Sequence, residues 1–301
     1  MKEPNFYAAG NVDRAGHRRK DPAWLALRMT DPSSRFVPVW RSQNLILATE
    51  SDGPRAAFLA RQEIAAEGEM VLLGLVEESA YFALDLSALD APLAALRTAT
   101  PVAFTDLRRV GPLLARLEGA LLAYGRGIAY WHGRHRFCGV CGSPTRSEEG
   151  GHVRRCTDQA CNSQHFPRTD PAVIMLVHDG ERCLLGRQRA WPAGMHSTLA
   201  GFVEPGESLE EAVAREVHEE TGIRIDQVTY HSSQPWPFPA SIMLGFHAHA
   251  QSTAIRVDHS ELQDARWFER DFILSHQDDD GFRLPRRDSI ARRLIEDWLR
   301  R

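Results

Sequence analysis

The segment from Gly201 to Ile223 constrains this chain more than any other, because it carries seven glutamates in 23 residues and also has the pattern of a helix. Ser208 is suited to cap that helix, and the apolar positions after it recur at intervals of three and four residues until Gly222 ends the pattern. A helix with this spacing has one apolar face, which packs against a core. The segment therefore predicts a loop followed by an amphipathic helix.

Three glutamates lie on one side of this predicted helix. Glu216 precedes Glu219 and Glu220 by three and four residues, so the carboxylates are neighbours and repel one another. Arg215 can offset only one or two of these charges, and oxygen ligands grouped in this way suit Mg²⁺ or Mn²⁺, ions that also bind phosphates. A solvated acidic face is the alternative interpretation. The glycines and charged residues in register around the triplet favour metal binding.

Length and composition bound the class of protein. The 301 residues suggest two domains with room for a small insert, and a formal net charge of −4 predicts no general attraction to nucleic acid or to an anionic membrane. The N-terminal residues lack an apolar signal sequence, and no apolar run approaches the ~20 residues of a membrane span. Five cysteines, an odd number, argue against a secreted disulfide framework. These features predict a soluble, cytoplasmic protein.

The first 130 residues show patterned segments and no catalytic constellation. Short apolar runs predict strands, and a longer run with helical spacing predicts a helix at the end of this part. The predicted strands cover residues 36–40, 45–48, 70–75 and 81–84, and the predicted helix covers residues 113–131. The pattern indicates a mixed α/β domain over residues 1–130.

Four of the five cysteines form two pairs. Cys138 and Cys141 are separated by two residues, and Cys156 and Cys161 by four. Four thiolates on paired turns satisfy tetrahedral Zn²⁺, and a closed site of four cysteines is structural rather than catalytic. The spacing predicts a zinc ribbon over residues 131–167, and the arginines that flank it leave a contact with nucleic acid open. The fifth cysteine, Cys183, lies in an apolar segment and is expected to be a core thiol.

Residues 168–301 predict a second domain of strands and helices. Apolar runs predict strands at 172–177, 183–186, 197–202 and 241–248, and apolar residues four apart predict a closing amphipathic helix at 289–301. In residues 234–241, three prolines alternate with aromatic residues, which predicts a stiff loop that exposes its rings. The rings could plug the edge of the domain. Alternatively they form a wall for a nucleobase or nicotinamide, with polar residues at both ends of the loop fixing its orientation.

These motifs resemble those of the Nudix hydrolases. Gly201 and Glu207, followed by residues 215–223, fit the spacing of the Nudix box at every specified position. Residues 233–241 are similar to the signature of the NADH pyrophosphatase branch, and the cysteine pairs are similar to its zinc ribbon. The resemblance runs from about residue 131 to residue 294 and is vaguer before that. It implies an α/β (α+β) protein, in which a Nudix α/β/α sandwich over residues 168–301 follows the zinc ribbon and the mixed α/β N-terminal domain.

Carried over position by position, the resemblance implies roles for single residues. The ligands of catalytic Mg²⁺ or Mn²⁺ would be the Ala200 carbonyl, Glu216, Glu220 and Glu261. Glu219 and Glu220 are both candidates for the general base. Phe202 would stack on the nicotinamide. The residues that would bind the substrate are Phe166, Phe202, Gln234, Pro235, Trp236, Pro237, Phe238, Pro239, Ala240, Ser241 and the backbone of Ala291.

Two positions depart from the pattern of that branch. Gly151 stands where a glutamate that contacts metal or substrate is expected, and Phe166 stands where tyrosine is frequent. The first departure speaks against a role of the ribbon in binding the catalytic metal. The second keeps a stacking ring and loses its hydroxyl.

The resemblance implies hydrolysis of the diphosphate of NADH or NAD⁺ to nicotinamide mononucleotide and AMP, with two or three Mg²⁺ or Mn²⁺ ions. It also implies a homodimer. Removal of an NAD cap from RNA 5′ ends by the same chemistry is the first alternative. A dinucleotide sensor without turnover and a zinc-ribbon adaptor are two further alternatives, and the complete set of carboxylates speaks against both.

Overall fold

The computed structural model describes residues 3–8, 11–48, 53–276 and 281–301, which form two compact units. Unit 1 comprises the described residues of 1–6, 170–235 and 241–301, and unit 2 comprises those of 7–169 and 236–240. The strands are β1 (Arg35–Trp40), β2 (Gln43–Leu47), β3 (Arg55–Ala56), β4 (Glu69–Val76), β5 (Ser79–Asp85), β6 (Val102–Thr105), β7 (Thr145–Glu148), β8 (Val153–Cys156), β9 (Gln164–His165), β10 (Asp170–His178), β11 (Arg182–Arg187), β12 (Leu199–Phe202), β13 (Ile225–Trp236), β14 (Ser241–Ala250) and β15 (Asp264–Glu269). The α-helices are α1 (Pro22–Thr30), α2 (Leu107–Val110), α3 (Arg116–Arg134), α4 (Leu209–Thr221), α5 (Arg270–Ser275) and α6 (Ile290–Leu299). Short 3₁₀ helices lie at Gly16–Arg18, Arg61–Glu63, Pro92–Ala95, Gly111–Leu113 and Glu149–Gly151.

Unit 1 is built on a mixed sheet in the order β13-β14-β10-β11-β15, and β12 also pairs with β10. Side chains of a strand point alternately to the two faces of its sheet. Val173, Met175 and Val177 of β10 lie in one core cluster together with apolar residues of α4. Ile174 and Leu176 lie in another cluster together with apolar residues of α6. The apolar run of β10 is continuous because both faces of the sheet are covered, which confirms the α/β/α sandwich.

Helix α4 forms where the sequence predicts it. The Ser208 hydroxyl accepts from the N–H of Glu211 at 3.2 Å, and the Glu211 carboxylate accepts from the N–H of Ser208 at 2.8 Å. Gly222 closes the helix with a φ of 70°, a left-handed conformation that glycine adopts easily. The buried Val213 and Val217 face the sheet, and burial stabilises each by about 1.5–3 kcal/mol. The helix is therefore fixed at both ends and along one side.

Unit 2 contains a second sheet in the order β3-β2-β1-β5-β4, with β6 paired to β2, and a small sheet of β7, β8 and β9. Phe36 and Phe82 stack in its core, with ring centroids 5.6 Å apart. The four strands predicted in the first 130 residues are all present. Helix α3 begins three residues later than predicted, because Gly111–Leu113 forms a separate 3₁₀ turn and Leu114 is extended, with a ψ of 154°. The mixed α/β character of this part is confirmed.

The predicted loop at residues 234–241 is wrong for its first three residues. Strand β13 continues through Gln234 and Pro235 to Trp236, and a turn follows at residues 237–240. Because β13 is an edge strand of its sheet, Pro235 does not remove a hydrogen bond from the sheet interior.

Over the described part of the chain, no helix combines the length and the apolar character that a bilayer crossing requires.

Candidate active site

Arg215 of α4 ties the loop before the helix to the carboxylates on it. Its guanidinium donates to both carboxylate oxygens of Glu207, at 2.6 and 3.0 Å, and to the carbonyl oxygen of Phe202 at 2.9 Å. It also donates to Oε1 of Glu216 and Oε2 of Glu219, each at 2.9 Å. These hydrogen bonds lower the pKa of Glu207 to about 2 and raise the pKa of Arg215. One cation thus holds three of the glutamates of this segment.

Glu220 is the glutamate of the predicted triplet that Arg215 does not bind. Its side chain is buried, and its Oε2 has no hydrogen-bond partner among the described residues. Burial raises the pKa of Glu220 to about 8, and the negative charges of Glu216 and Glu261 add to the shift. Burial also raises the pKa of Glu216. A buried carboxylate without a partner destabilises a fold, and a divalent cation at this place would remove that cost.

Gly201 lets the Glu216 carboxylate lie against the backbone of β12. A Cβ added at Gly201 would stand 1.8 Å from the carboxyl carbon of Glu216, much closer than real Cβ contacts come. Ala200 directly precedes it on the same strand, opposite Ile174 of β10. The Glu216 carboxylate thus lies against Gly201, the residue that follows Ala200, and the metal-binding role of the Ala200 carbonyl stays a prediction.

The turn that carries Glu261 is tied to the C-terminal end of α4. The N–H of Asp258 donates to the carbonyl oxygen of Glu220 at 3.0 Å, and the Asp258 carboxylate accepts from the N–H and hydroxyl of Ser260. Leu262 is buried in the core of the sandwich. These contacts bring Glu261 close enough for its charge to act on Glu220. Its role as a metal ligand stays a prediction, and so do those of Ala200, Glu216 and Glu220.

The four predicted zinc ligands converge in unit 2. Within the described residues, Cys138, Cys141, Cys156 and Cys161 are the one set of three or more potential metal ligands whose donor atoms all lie within 4.8 Å of one another. The Sγ–Sγ distance is 3.4 Å between Cys141 and Cys156 and 3.8 Å between Cys138 and Cys161. A tetrahedral zinc site with Zn–S bonds of about 2.3 Å separates its sulfurs by roughly 3.8 Å. The sulfurs therefore fit a structural Zn²⁺.

The predicted substrate residues of unit 1 differ in how accessible they are. Phe202 is 60% exposed at the end of β12 and is free to stack on a flat ring. Gln234 is fully buried: its amide nitrogen donates to the carbonyl oxygens of Phe6 and Asp288, and its amide oxygen accepts from the N–H of Ile290. Gln234 therefore fixes the start of α6, and a substrate contact would have to replace one of these bonds.

Two other predicted residues of unit 1 are also buried. Ser241 begins β14 opposite Asp170 of β10. Ala291 lies in the first turn of α6, and its N–H donates to the hydroxyl of Ser289, the cap of the helix. Pro235 is half-buried on β13. Their contact with a substrate stays a prediction.

The aromatic residues of the predicted loop lie in unit 2. Trp236 and Phe238 are half-buried rather than exposed, and the edge of each ring meets Tyr7, with centroids 6.1 and 5.9 Å apart. Arg126 donates to the carbonyl oxygen of Pro237 at 2.7 Å and lies over the ring of Phe238. Pro239, Ala240 and the 56% exposed Phe166 are the remaining predicted residues of this unit. The packing agrees with the alternative in which the rings plug an edge.

Sequence reasoning missed two residues that organise unit 1. Asn5 donates to the Ser232 hydroxyl and the Ser233 carbonyl oxygen, and it accepts from Arg293 of α6. Arg187 donates to the carbonyl oxygens of the segment that follows β11 and to Gln263. Neither residue belongs to a motif, so only the folded backbone shows what each one binds.

Three family models match successive parts of the chain. The NADH pyrophosphatase-like rudimentary NUDIX domain matches residues 33–131, the NADH pyrophosphatase zinc ribbon domain matches residues 134–166, and the NUDIX domain matches residues 168–287. The chain belongs to the Nudix hydrolase family. Within that family, it has the zinc ribbon and the rudimentary domain that describe NADH pyrophosphatases.

Relatives of this Nudix protein include NAD-capped RNA hydrolases. The human NAD-capped RNA hydrolase NUDT12 is 46% identical over 198 residues, which are 62% of this chain and 43% of the relative. The NAD-capped RNA hydrolase NudC of Stutzerimonas stutzeri is 46% identical over 195 residues, which are 65% of this chain and 66% of the relative. A Nudix hydrolase structure from Nitrosomonas europaea covers 46% of this chain and 79% of its own, with 23% identity and a TM-score of 0.39. The chain thus spans less than half the length of the human relative.

Proposed function

We propose that this Nudix protein is a metal-dependent hydrolase that cuts the diphosphate bond of NADH and NAD⁺, giving nicotinamide mononucleotide, reduced or oxidised, and AMP. The observation that carries the proposal is the buried carboxylate of Glu220, which has an oxygen without a partner and a pKa raised to about 8 beside Glu216 and Glu261. Such a site suits divalent cations, which hold the phosphates of a substrate. The names of the zinc ribbon and N-terminal family models add support.

The residues of the site would divide into metal ligands, a general base and a stacking ring. Glu216, Glu220 and Glu261, with the Ala200 carbonyl, would hold Mg²⁺ or Mn²⁺. When bound, such ions neutralise phosphate charge and lower the pKa of a coordinated water. Glu219 is the better placed of the two candidate bases, because its side chain is 53% exposed and, among the described residues, only its Oε2 is hydrogen-bonded, to Arg215. Phe202 would stack on the nicotinamide or the adenine and fix the diphosphate over the carboxylates.

The test is steady-state kinetics on NADH, NAD⁺ and ADP-ribose with Mg²⁺ and with Mn²⁺, with the products resolved by chromatography. We expect AMP and nicotinamide mononucleotide from the wild type and a loss of at least about 100-fold in kcat for Glu216→Gln. Glu210→Gln is the matched control, because Glu210 is an exposed glutamate of the same helix. Absence of turnover on all three substrates would favour the sensor alternative, and normal turnover by Glu216→Gln would overturn the ligand set.

A second substrate has support from the relatives, since the human protein and the Stutzerimonas stutzeri protein both carry the name NAD-capped RNA hydrolase. In a 5′ NAD cap the same diphosphate joins nicotinamide mononucleotide to an adenosine whose 3′ oxygen bears the RNA. The homodimer and the cytoplasmic location stay predictions from the sequence, which light scattering and cell fractionation would test.

A further inference from the structure

Three histidines of unit 1 lie together on one face of its sheet. His178 ends β10 and is paired with His249 of β14, and His247 lies two residues before His249 on the same strand. Paired residues of neighbouring strands share a face, and so do residues two apart on one strand. Leu176, the partner of His247, packs in the core cluster that contains residues of α6. The three imidazoles therefore lie on the side of the sheet that α6 covers.

The three rings are close enough to share one ion. The ring centroid of His178 lies 6.4 Å from that of His247 and 5.9 Å from that of His249. Two imidazoles on a tetrahedral ion, with metal–nitrogen bonds of about 2.0 Å, have centroids roughly 5 Å apart. One nitrogen from each ring does not lie within 4.8 Å of the other two here, so the rings have to turn to close on an ion. Such turning is available, because rotation of a histidine ring about its Cβ–Cγ bond is broad.

The ring of His247 is buried without a hydrogen bond. It is 4% exposed, and neither of its nitrogens has a partner among the described residues. Nδ1 of the half-buried His178 is likewise buried and without a partner in those ranges. Burial lowers the pKa of both rings, which keeps them neutral, and the neutral imidazole is the form that binds a metal. Unpaired buried nitrogens destabilise a fold, and a bound ion would give them a partner.

His249 makes the second contact that is usual for a metal-binding histidine. Its Nδ1 lies 3.0 Å from the Asp226 carboxylate, whose pKa is lowered by hydrogen bonds from Gln251 and His249. An ionised carboxylate only accepts, so the proton of the ring lies on Nδ1 and the lone pair of Nε2 is left for an ion. A carboxylate in this position fixes the tautomer and the orientation of a ligating ring.

His231 lies beside this group without being one of its ligands. Its ring centroid is 5.2 Å from that of His247, but its Nδ1 is bonded to the Ser232 hydroxyl and its Nε2 to Asp297, each at 2.7 Å. Arg301 opposes a positive charge at His247 and Asp297 favours it, so these two neighbours act in opposite directions. The donor atoms, rather than the surrounding charge, therefore select the ion.

We propose that His178, His247 and His249 form a binding site for a divalent transition-metal ion, separate from the cysteines of the ribbon and from the carboxylates of α4. Three imidazole nitrogens suit such an ion, whereas Mg²⁺ takes oxygen ligands. Among the divalent first-row metals, Cu²⁺ has the highest affinity for nitrogen ligands, so it should bind most tightly. The ion would join the ends of β10 and β14. Because none of these residues belongs to the carboxylate cluster, the site is independent of the proposed function.

The test is a titration of the full chain with Cu²⁺ against a competing chelator. The protein is first loaded with Zn²⁺ for the ribbon, and excess Mg²⁺ is present for the carboxylates. Electron paramagnetic resonance counts the nitrogens bound to Cu²⁺ through their superhyperfine splitting. We expect one Cu²⁺ per chain, bound by three nitrogens.

Variants assign the nitrogens. His247→Leu should raise the Kd for Cu²⁺ by at least about 100-fold and remove one nitrogen from the spectrum. Asp226→Asn should raise the Kd about tenfold and keep all three nitrogens, because this carboxylate orients a ligand and does not bind the ion. His276→Leu is the matched control and should leave the Kd unchanged, since His276 is an exposed histidine of unit 1 outside the three.

Melting temperatures show which variants are folded. If His247→Leu does not fold, His249→Leu replaces it, because the His249 side chain is 41% exposed, and the same loss of affinity and of one nitrogen is expected. Cu²⁺ bound by fewer than three nitrogens, or with equal Kd in the wild type and in the ligand variants, would overturn the site and place the ion on other groups. An unchanged Kd in Asp226→Asn would remove His249 from the ligand set and overturn the site as well. In each case the proposed function stands, and failure to hydrolyse NADH leaves the Cu²⁺ result unaffected.

Discussion

The Glu216 carboxylate lies in the space that a side chain at residue 201 would need: a Cβ on Gly201 would stand 1.8–2.1 Å from the three atoms of that carboxyl group. The Nudix box therefore begins with a glycine for a steric reason that links strand β12 to helix α4. Because Glu216 also accepts from Arg215, moving it would disturb the ion pairs of the whole helix face.

Gly201→Ala should displace the Glu216 carboxylate and lower kcat by about 100-fold, since a shift of about 1 Å in a catalytic group has effects of this size. The melting temperature should fall as well, because the displaced carboxylate is buried and gives up its hydrogen bond from Arg215. Gly133→Ala is the control, as a Cβ there meets nothing within 4 Å. A Gly201→Ala variant with wild-type kcat would show that Glu216 need not occupy its present position.

Glu220 should make the stability of the protein without Mg²⁺ or Mn²⁺ depend on pH. Its pKa is raised from about 4.5 to about 8, so the folded state binds a proton that the unfolded state has released, and stability falls as pH rises between these values. Glu220→Gln should make this fall less steep and should leave the protein more stable than the wild type at pH 9. Urea unfolding of the wild type and of Glu220→Gln at pH 5, 7 and 9 measures the pH slope and the stability at pH 9.

The same experiment contains its own control. Added Mg²⁺ should restore stability at pH 9 in the wild type and much less in Glu220→Gln, since the cation replaces the lost proton. Equal pH slopes for the two proteins would contradict the burial argument for Glu220.

The cysteine cluster should hold one Zn²⁺ per chain. Cys156→Ser should lose the metal and lower the melting temperature, because the three remaining cysteines do not complete the tetrahedral site and the free energy of metal binding no longer stabilises the fold. Cys183→Ala is the matched control, since Cys183 is a buried thiol of unit 1 outside the cluster. Mass spectrometry measures the zinc content of the wild type and of both variants. A Cys156→Ser protein that retains stoichiometric zinc would exclude this ligand set.

Gln234→Ala should lower the free energy of unfolding by about 2–4 kcal/mol, because three buried polar groups lose their partners at once. Gln188→Ala should change it by less than about 0.5 kcal/mol, as that side chain is exposed and makes no hydrogen bond within the described residues. Chemical denaturation measures both. A small effect for Gln234→Ala, together with a raised KM for NADH, would instead support the direct substrate contact that the sequence predicts.

His247 should contribute to acid sensitivity. It is 4% exposed, and neither ring nitrogen has a partner among the described residues, so burial lowers its pKa to about 3. Stability from the neutral ring is present above pH 6.5 and is lost as pH falls toward 3, because the unfolded chain takes up the proton first. Between pH 7 and pH 4, the free energy of unfolding should therefore fall by roughly 2–3 kcal/mol less for His247→Leu than for the wild type.

His249→Leu is the comparison for this experiment. His249 lies on the same strand, but it is partly exposed and hydrogen-bonded to Asp226. Its replacement should leave the acid sensitivity of the wild type in place. Equal behaviour of the two variants would show that the buried ring of His247 is not the source.

The sequence alone determined helix α4, strand β10 and the cysteine pairs, whose signals lie within short stretches of the chain. Ser208, the apolar positions after it and Gly222 fix helix α4 because capping and amphipathic packing are encoded within a few residues. The continuous apolar run of β10 indicates a strand covered on both faces, and the cysteine spacing indicates the ribbon. The resemblance to known motifs supplied Glu261, which no local pattern distinguishes.

The tertiary structure decided what depends on the path of the backbone between distant residues. The bond from Asp258 to the carbonyl oxygen of Glu220 explains why a carboxylate 41 residues after the last helix glutamate lies close enough for its charge to raise the pKa of Glu220. Pro235 continues a strand only because β13 is an edge, and Gln234 is buried only because residues 6, 288 and 290 surround its amide. Hydrogen bonds between residues far apart in sequence leave no periodic trace along the chain, so these arrangements could be read only from the fold.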